Sequence, residues 1–195
     1  LIGSSLAISG AAFQAMFVNP LVSPGILGVL SGASFGAALG MVMGWSWFFI
    51  NLSTFIFGLI AVLFALLISF IYSSAKNMII LVLGGIISSS LFSALLSIVK
   101  YAADPYDALP AITYWLMGSL AFSTPNVVWN LSIPLVLGIL ILIFLSKYLN
   151  ALSLGDEEAK ALGVDTKKIK IIVILTATFL SALSVILAGI IGWIG

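Results

Sequence analysis

Cysteine, histidine and arginine are all absent from these 195 residues. Without cysteine there is no disulfide, no thiolate nucleophile and no sulfur-ligated metal site. Without histidine the commonest metal ligand and the side chain that carries protons near neutral pH are both missing. Charge is nearly as scarce, at 7% of residues against about 25% in an ordinary soluble domain. A net charge of +1, carried on lysines alone, offers no surface for reading phosphates, so nucleic acid is not expected as a partner. No Gly-x-x-x-x-Gly-Lys-Ser/Thr sequence occurs, so the chain has no P-loop with which to bind and split ATP. The acidic residues sit outside the apolar stretches, and no constellation of nucleophile, base or metal ligands is found. The reading is therefore of a chain that is not an enzyme, with no metal site and no cofactor.

What is present is apolar side chain, 63% of the total. A hydrocarbon core about 30 Å thick needs about 20 mostly apolar residues in a helix, and several stretches meet that length without an ionisable group. The expected class is an all-α membrane protein, a polytopic transmembrane helix bundle forming one domain. Spans are expected over about 1–17, 26–42, 48–72, 78–99, 127–149 and 171–188. Asn19-Pro20 and Pro24-Gly25 end the first and force a turn. Between 100 and 126, three prolines surround an apolar piece too short to span. That piece reads as a helix over about 113–122 at the interface, with Tyr114 and Trp115 at headgroup depth. Pro134 should kink the fifth span. Both termini lie inside apolar stretches, and a longer natural chain is expected.

Lysine counting gives the orientation. With 153–170 in the cytoplasm, Lys76, Lys147, Lys160, Lys167, Lys168 and Lys170 fall inside, and only Lys100 falls outside, beside Asp104 and Asp107. The Asn19-Pro20 turn then also faces the cytoplasm.

Within the second span Gly28, Gly32, Gly36, Gly40 and Gly44 recur every fourth residue, a stripe that lets another backbone come close. Ser89, Ser93 and Ser97 share one face of the fourth span. They either line an uncharged path or return hydrogen bonds to their own helix. Gln14 is expected to face the protein interior, because an amide in lipid is costly. The one strongly polar segment, 153–170, reads as a short capped helix: Gly155-Asp156 at its start with Glu157 in the first turn, Ala159 and Leu162 as an apolar edge, and Gly163 as a left-handed stop. Asp165 is expected to cap a second short helix. By physics alone the segment is either a docking knob, with Ala159 and Ala161 as its small residues, or a solvated connecting loop.

Several stretches, in order, resemble one family. They are Leu6-Ala7-Ile8-Ser9-Gly10-Ala11-Ala12-Phe13-Gln14-Ala15, Asn19-Pro20-Leu21-Val22-Ser23-Pro24-Gly25-Ile26-Leu27-Gly28, Trp115-Leu116-Met117-Gly118-Ser119-Leu120, Leu154-Gly155-Asp156-Glu157-Glu158-Ala159 with Leu162-Gly163, and Ala188-Gly189-Ile190-Ile191-Gly192-Trp193-Ile194-Gly195. Over essentially its whole length the chain is similar to the FecCD/BtuC-type permeases of ABC importers for iron-siderophores, haem and vitamin B12. The resemblance implies a type II ABC importer permease fold, a ten-helix subunit of which this piece supplies the second to seventh helices. It implies a bacterial inner (plasma) membrane, a second permease subunit in a homo- or heterodimer, two cytosolic ATP-binding subunits and an external substrate-binding protein. It assigns Gly155, Asp156, Glu157, Ala159, Leu162 and Gly163 to a coupling helix seated in the ATPase. Asn19, Pro20 and Leu21, with Lys76, Asn77 and Met78, would form a cytoplasmic gate. Gln14, Ser89, Ser93, Ser97, Trp115 and Gly118 are candidates for lining the path of a ferric siderophore or related chelate.

Two rival readings stand beside it. An ion-coupled secondary transporter would ordinarily carry ionisable residues at mid-membrane, and none of these spans has one. A non-transporting membrane scaffold is the other.

Overall fold

In a bilayer core no water is present to bond the backbone, so helix is enforced even on β-branched and aromatic residues that favour it little in water. The computed structural model of the chain, which describes residues 1–72, 78–122 and 124–190, has nine α-helices among those residues. They are α1 (Ile2–Phe17), α2 (Val29–Val42), α3 (Trp47–Tyr72), α4 (Met78–Ala102), α5 (Ala108–Met117), α6 (Pro125–Phe144), α7 (Ser146–Leu152), α8 (Asp156–Ala161) and α9 (Thr166–Ala188). Four of them, α3, α4, α6 and α9, are long and apolar enough to cross a membrane.

Three expected spans change on inspection. The stretch 26–42 is not one helix: Pro24–Leu27 forms a 3-10 turn, Gly28 adopts φ +88°, and α2 has only 14 residues. At 1.5 Å per residue α2 is about 21 Å long, short of the hydrocarbon thickness. It tolerates this because protein surrounds much of it; Val29, Gly32, Ala33, Gly36, Ala37 and Gly40 are all buried. The stretch 127–149 is interrupted at Leu145, after which α7 buries Leu149, Ala151 and Leu152. The last span begins at Thr166 rather than 171, because the lysines of 167–170 continue the same helix and no second short helix intervenes. The interfacial helix also lies earlier than expected, with Pro110 in its first turn, where a missing N–H costs nothing.

The bundle has two interior members, α2 and α9. Lipid provides no hydrophobic drive between helices, so close backbone approach has to supply the packing. A Cβ on Gly36 would lie 2.5 Å from the Ser53 carbonyl oxygen, and one on Gly32 would overlap the Phe57 carbonyl. Ser53 Oγ also donates to the Gly36 oxygen at 2.8 Å, a hydrogen bond between α2 and α3. Gly28 and Gly44 do not join this seam; both have positive φ and bound the helix. Gly84 of α4 likewise approaches the Ala65 backbone of α3, and Gly85 the Ile26–Leu27 backbone.

The second interior helix, α9, packs against α1, α3 and α6. Ser5 and Ser184 share a buried hydrogen bond of 2.7 Å between α1 and α9, and Gly138 of α6 makes room for Leu180. The outer helices leave large side chains uncovered, among them Phe48, Phe70, Leu83, Trp129 and Phe144.

Candidate functional site

The acidic segment folds into a rigid corner. Gly155 caps the start of α8 with φ +119°, backbone that residues with side chains rarely adopt. It stops in a Schellman arrangement: Gly163 N–H donates to the Lys160 carbonyl at 2.9 Å and Val164 N–H to the Ala159 carbonyl at 3.0 Å, with Gly163 at φ +81°. Ala159 is fully buried and belongs to the main core, so it anchors α8 and is not part of an exposed knob. The apolar edge expected of Ala159 and Leu162 is therefore split. Leu162 points outward at 64% exposure, as does Leu154 at 63%. Glu157, Glu158, Lys160 and Ala161 complete an exposed outer face.

Charges are ordered around this corner. Glu157 pairs with Lys160 at 2.7 Å, and that hydrogen bond raises the lysine pKa above its ordinary value. Asp165 caps α9, its carboxylate accepting from Lys168 N–H at 3.2 Å; this backbone bond, with the Lys168 ammonium, holds its pKa below the usual carboxylate value. Asp156 reaches across to α9, where Lys170 Nζ lies 2.5 Å from both of its carboxylate oxygens. Lys170 is nine-tenths buried. Sequence reading had not singled out this partner; the signal was one more lysine in a basic cluster leading into an apolar span.

The turn after α1 is held from inside. Asn19 Oδ1 accepts from Leu21 N–H at 2.9 Å, and Gln14 Nε2 donates to the Pro20 carbonyl at 2.8 Å. Gln14 is thus exposed and turned onto its own loop, contrary to the interior placement expected of it. Pro20 is exposed, and Leu21 stands out at 90% exposure. Val18 precedes them at φ +51°, left-handed backbone that a β-branched residue rarely adopts. Lys76 and Asn77 lie outside the described residues, and Met78 opens α4, packed on the core.

The residues proposed for a path are not all together. Ser93 Oγ lies 3.4 Å from Ser31 Oγ of α2, and Ser97 Oγ donates to the Ser93 carbonyl at 3.0 Å. Ser93 and Ser97 are exposed on the α4 surface, and Ser89 is half-buried beside Gly28. Trp115, expected at headgroup depth, is instead buried among Ala33, Ala37, Ile50 and Val185, while its neighbour Tyr114 is exposed. Gly118 sits against Gly189: a Cβ on Gly189 would be 2.9 Å from Gly118 Cα, and Ser119 N–H donates to the Ala188 carbonyl. Among the described residues no group of three metal-ligating side chains comes together.

The FecCD transport family model matches residues 1–195. Over 194 residues the chain is 41% identical to the molybdate import system permease protein MolB of Haemophilus influenzae, covering all of this chain and 57% of that protein. It is 35% identical over 212 residues to the hemin transport system permease protein HmuU of Yersinia pestis, and 33% identical over 205 residues to the vitamin B12 import system permease protein BtuC of Salmonella paratyphi A. In both cases all of this chain and 59% of the relative are covered. A solved inward-facing structure of a metal-chelate type ABC transporter superimposes with a TM-score of 0.90 at 40% identity, covering 100% of this chain and 61% of the other. The chain therefore spans about three-fifths of the length of these relatives. Matched by the family model along its whole length, the chain belongs to the FecCD transport family.

Proposed function

We propose that the chain is part of the permease subunit of an ATP-driven, binding-protein-dependent importer in a bacterial inner membrane. It would pass a ferric siderophore, or a related metal complex such as haem or cobalamin, by alternating access. The observation that carries this reading is the α8 corner. Two left-handed glycines, a buried Ala159 and a cross-helix ion pair brace six residues against the bundle, while Leu154, Glu157 and Leu162 are left uncovered. A plain solvated connection needs none of this bracing. A braced protrusion suits a surface that must receive force from outside, and the chain has no P-loop to supply that force itself.

On this reading the segment 153–170 lies in the cytoplasm and α8 seats in an ATP-binding subunit. The Asn19–Leu21 turn forms part of the inner gate, and the uncovered Ser93–Ser97 face of α4 borders the path, facing a second permease subunit. Hydroxyls and apolar atoms without fixed charge would let a bulky complex pass without tight retention. The relatives named for molybdate and for hemin widen the cargo class to metal-centred anions as well as chelates.

The test is reconstitution of the full-length subunit with its ATP-binding subunit and binding protein in proteoliposomes. ATP-dependent uptake is expected, insensitive to collapse of proton and Na⁺ gradients, and abolished by Glu157→Lys with the subunit still inserted. Gradient-driven uptake without ATP would establish the ion-coupled alternative, and full uptake by Glu157→Lys would remove α8 from the coupling role.

A further inference from the structure

We propose that Lys170 is a positioning residue whose ion pair with Asp156 locks α8 to α9, so that a push on α8 moves the interior helix instead of bending the connection between them. The inference rests on the importer reading and adds to it a particular force-bearing contact.

The covalent link between the two helices is 162–165, and it contains Gly163 at φ +81°. Backbone hydrogen bonds at Gly163 and the Asp165 cap set the shape of this connection, and force applied to the outer face of α8 would load them unless a further contact shared it. Asp156 lies at the opposite end of α8 from that connection, and Lys170 is the fifth residue of α9. Their contact closes a triangle with the chain connection as its third side. The pairs Glu157–Lys160 and Asp165–Lys168 each join residues three apart in sequence, whereas Asp156–Lys170 joins residues fourteen apart.

The surroundings make this tie stiffer than a surface ion pair. Lys170 borders an apolar cavity of about 270 Å³ whose walls include Leu66, Phe70, Leu81, Ile171 and Ile174. Its side chain is 11% exposed and that of Asp156 32%. An ammonium deprived of its carboxylate there would be left largely buried and unpaired beside apolar walls. The helix it holds packs on α1, α3 and α6, so displacement at its start is passed to half of the bundle.

The experiment uses the full-length subunit assembled with its ATP-binding subunit and binding protein. Lys170→Gln is expected to keep the ATP-binding subunit bound and hydrolysis within about twofold, while uptake per ATP falls roughly fivefold to tenfold. Lys170→Arg keeps uptake, and the exchange D156K with K170D recovers most of what Lys170→Gln loses. Wild-type uptake per ATP in Lys170→Gln, parallel loss of assembly and uptake, or an exchange no better than the single variant would each overturn the proposal. Spin labels at Ala161 and Ile172 judge the lock apart from transport. Their distance distribution should be narrow in the wild type and the exchange and broad in Lys170→Gln; equal widths overturn the lock. Absence of ATP-dependent uptake in the wild type, with the distances behaving as expected, would instead defeat the importer reading and with it the transmission of force.

Discussion

Gly36→Ala is the sharpest probe of how the bundle is held. The added Cβ would lie 2.5 Å from the Ser53 carbonyl oxygen, whereas ordinary contact begins near 3.4 Å, so α2 and α3 must separate by about 1 Å at this point. Both elements are continuous helices here, and the atom met is backbone, so no side chain can swing aside. The same displacement stretches the Ser53 Oγ to Gly36 hydrogen bond from 2.8 Å to beyond about 3.5 Å, outside bonding range. Loss of that bond in a membrane interior costs about 1 kcal/mol, and strain and lost packing add about 1–3 kcal/mol. Thermal unfolding of the detergent-solubilised full-length protein should therefore register a loss of about 2–4 kcal/mol. Gly10→Ala, where no atom of this chain lies within 4 Å of the added carbon, should be neutral or slightly stabilising. In the Gly36→Ala background, Ser53→Ala should cost little more, because its bond is already gone. A Gly36→Ala protein as stable as wild type, or full additivity of the two changes, would refute the close approach.

Three further outcomes follow from the geometry. Val18→Gly should stabilise the protein by about 1 kcal/mol, because left-handed backbone at φ +51° penalises a β-branched side chain more than it penalises glycine; an unchanged or lower unfolding temperature would contradict this. Asp165, with its folded pKa depressed by the Lys168 amide, contributes stability above its unfolded value and loses it as pH falls through the lower folded one. Its NMR titration midpoint should lie below 3.8, and a midpoint at or above that refutes the cap. Ser93→Trp should abolish uptake while leaving assembly intact, since Ser93 is exposed and its hydroxyl lies 3.4 Å from that of Ser31; unaltered uptake removes this face of α4 from the route.

How much of this could be read from residues alone depended on whether the deciding forces were local. Proline and glycine act locally, so the turn at Asn19–Pro20, the stop at Gly163 and the start of α8 at Gly155 were all legible. The glycine stripe was legible as packing for Gly32, Gly36 and Gly40, whereas its two end members turned out to be the left-handed residues that bound the helix. The interruption at Leu145 has no proline or glycine to mark it; Leu149 and Leu152 of α7 are buried in the core, and only the assembled fold dictates that. The burial of Trp115 was not legible for the same reason. Indoles favour interfaces on average, yet this one is enclosed by α2, α3 and α9. Lys170 was invisible as a partner because fourteen residues separate it from Asp156, too far for any helical spacing rule.

The brevity of α2 bears on how the protein is made. Fourteen residues are too few for a nascent segment to halt and settle in a bilayer unaided. Only positions 43–46 separate it from the long α3, and the glycine seam joins the two along their length. Length and seam together favour entry of the pair as one hairpin, the longer arm drawing the shorter one in. Bulk added to that seam would then weigh on insertion as well as on the finished bundle.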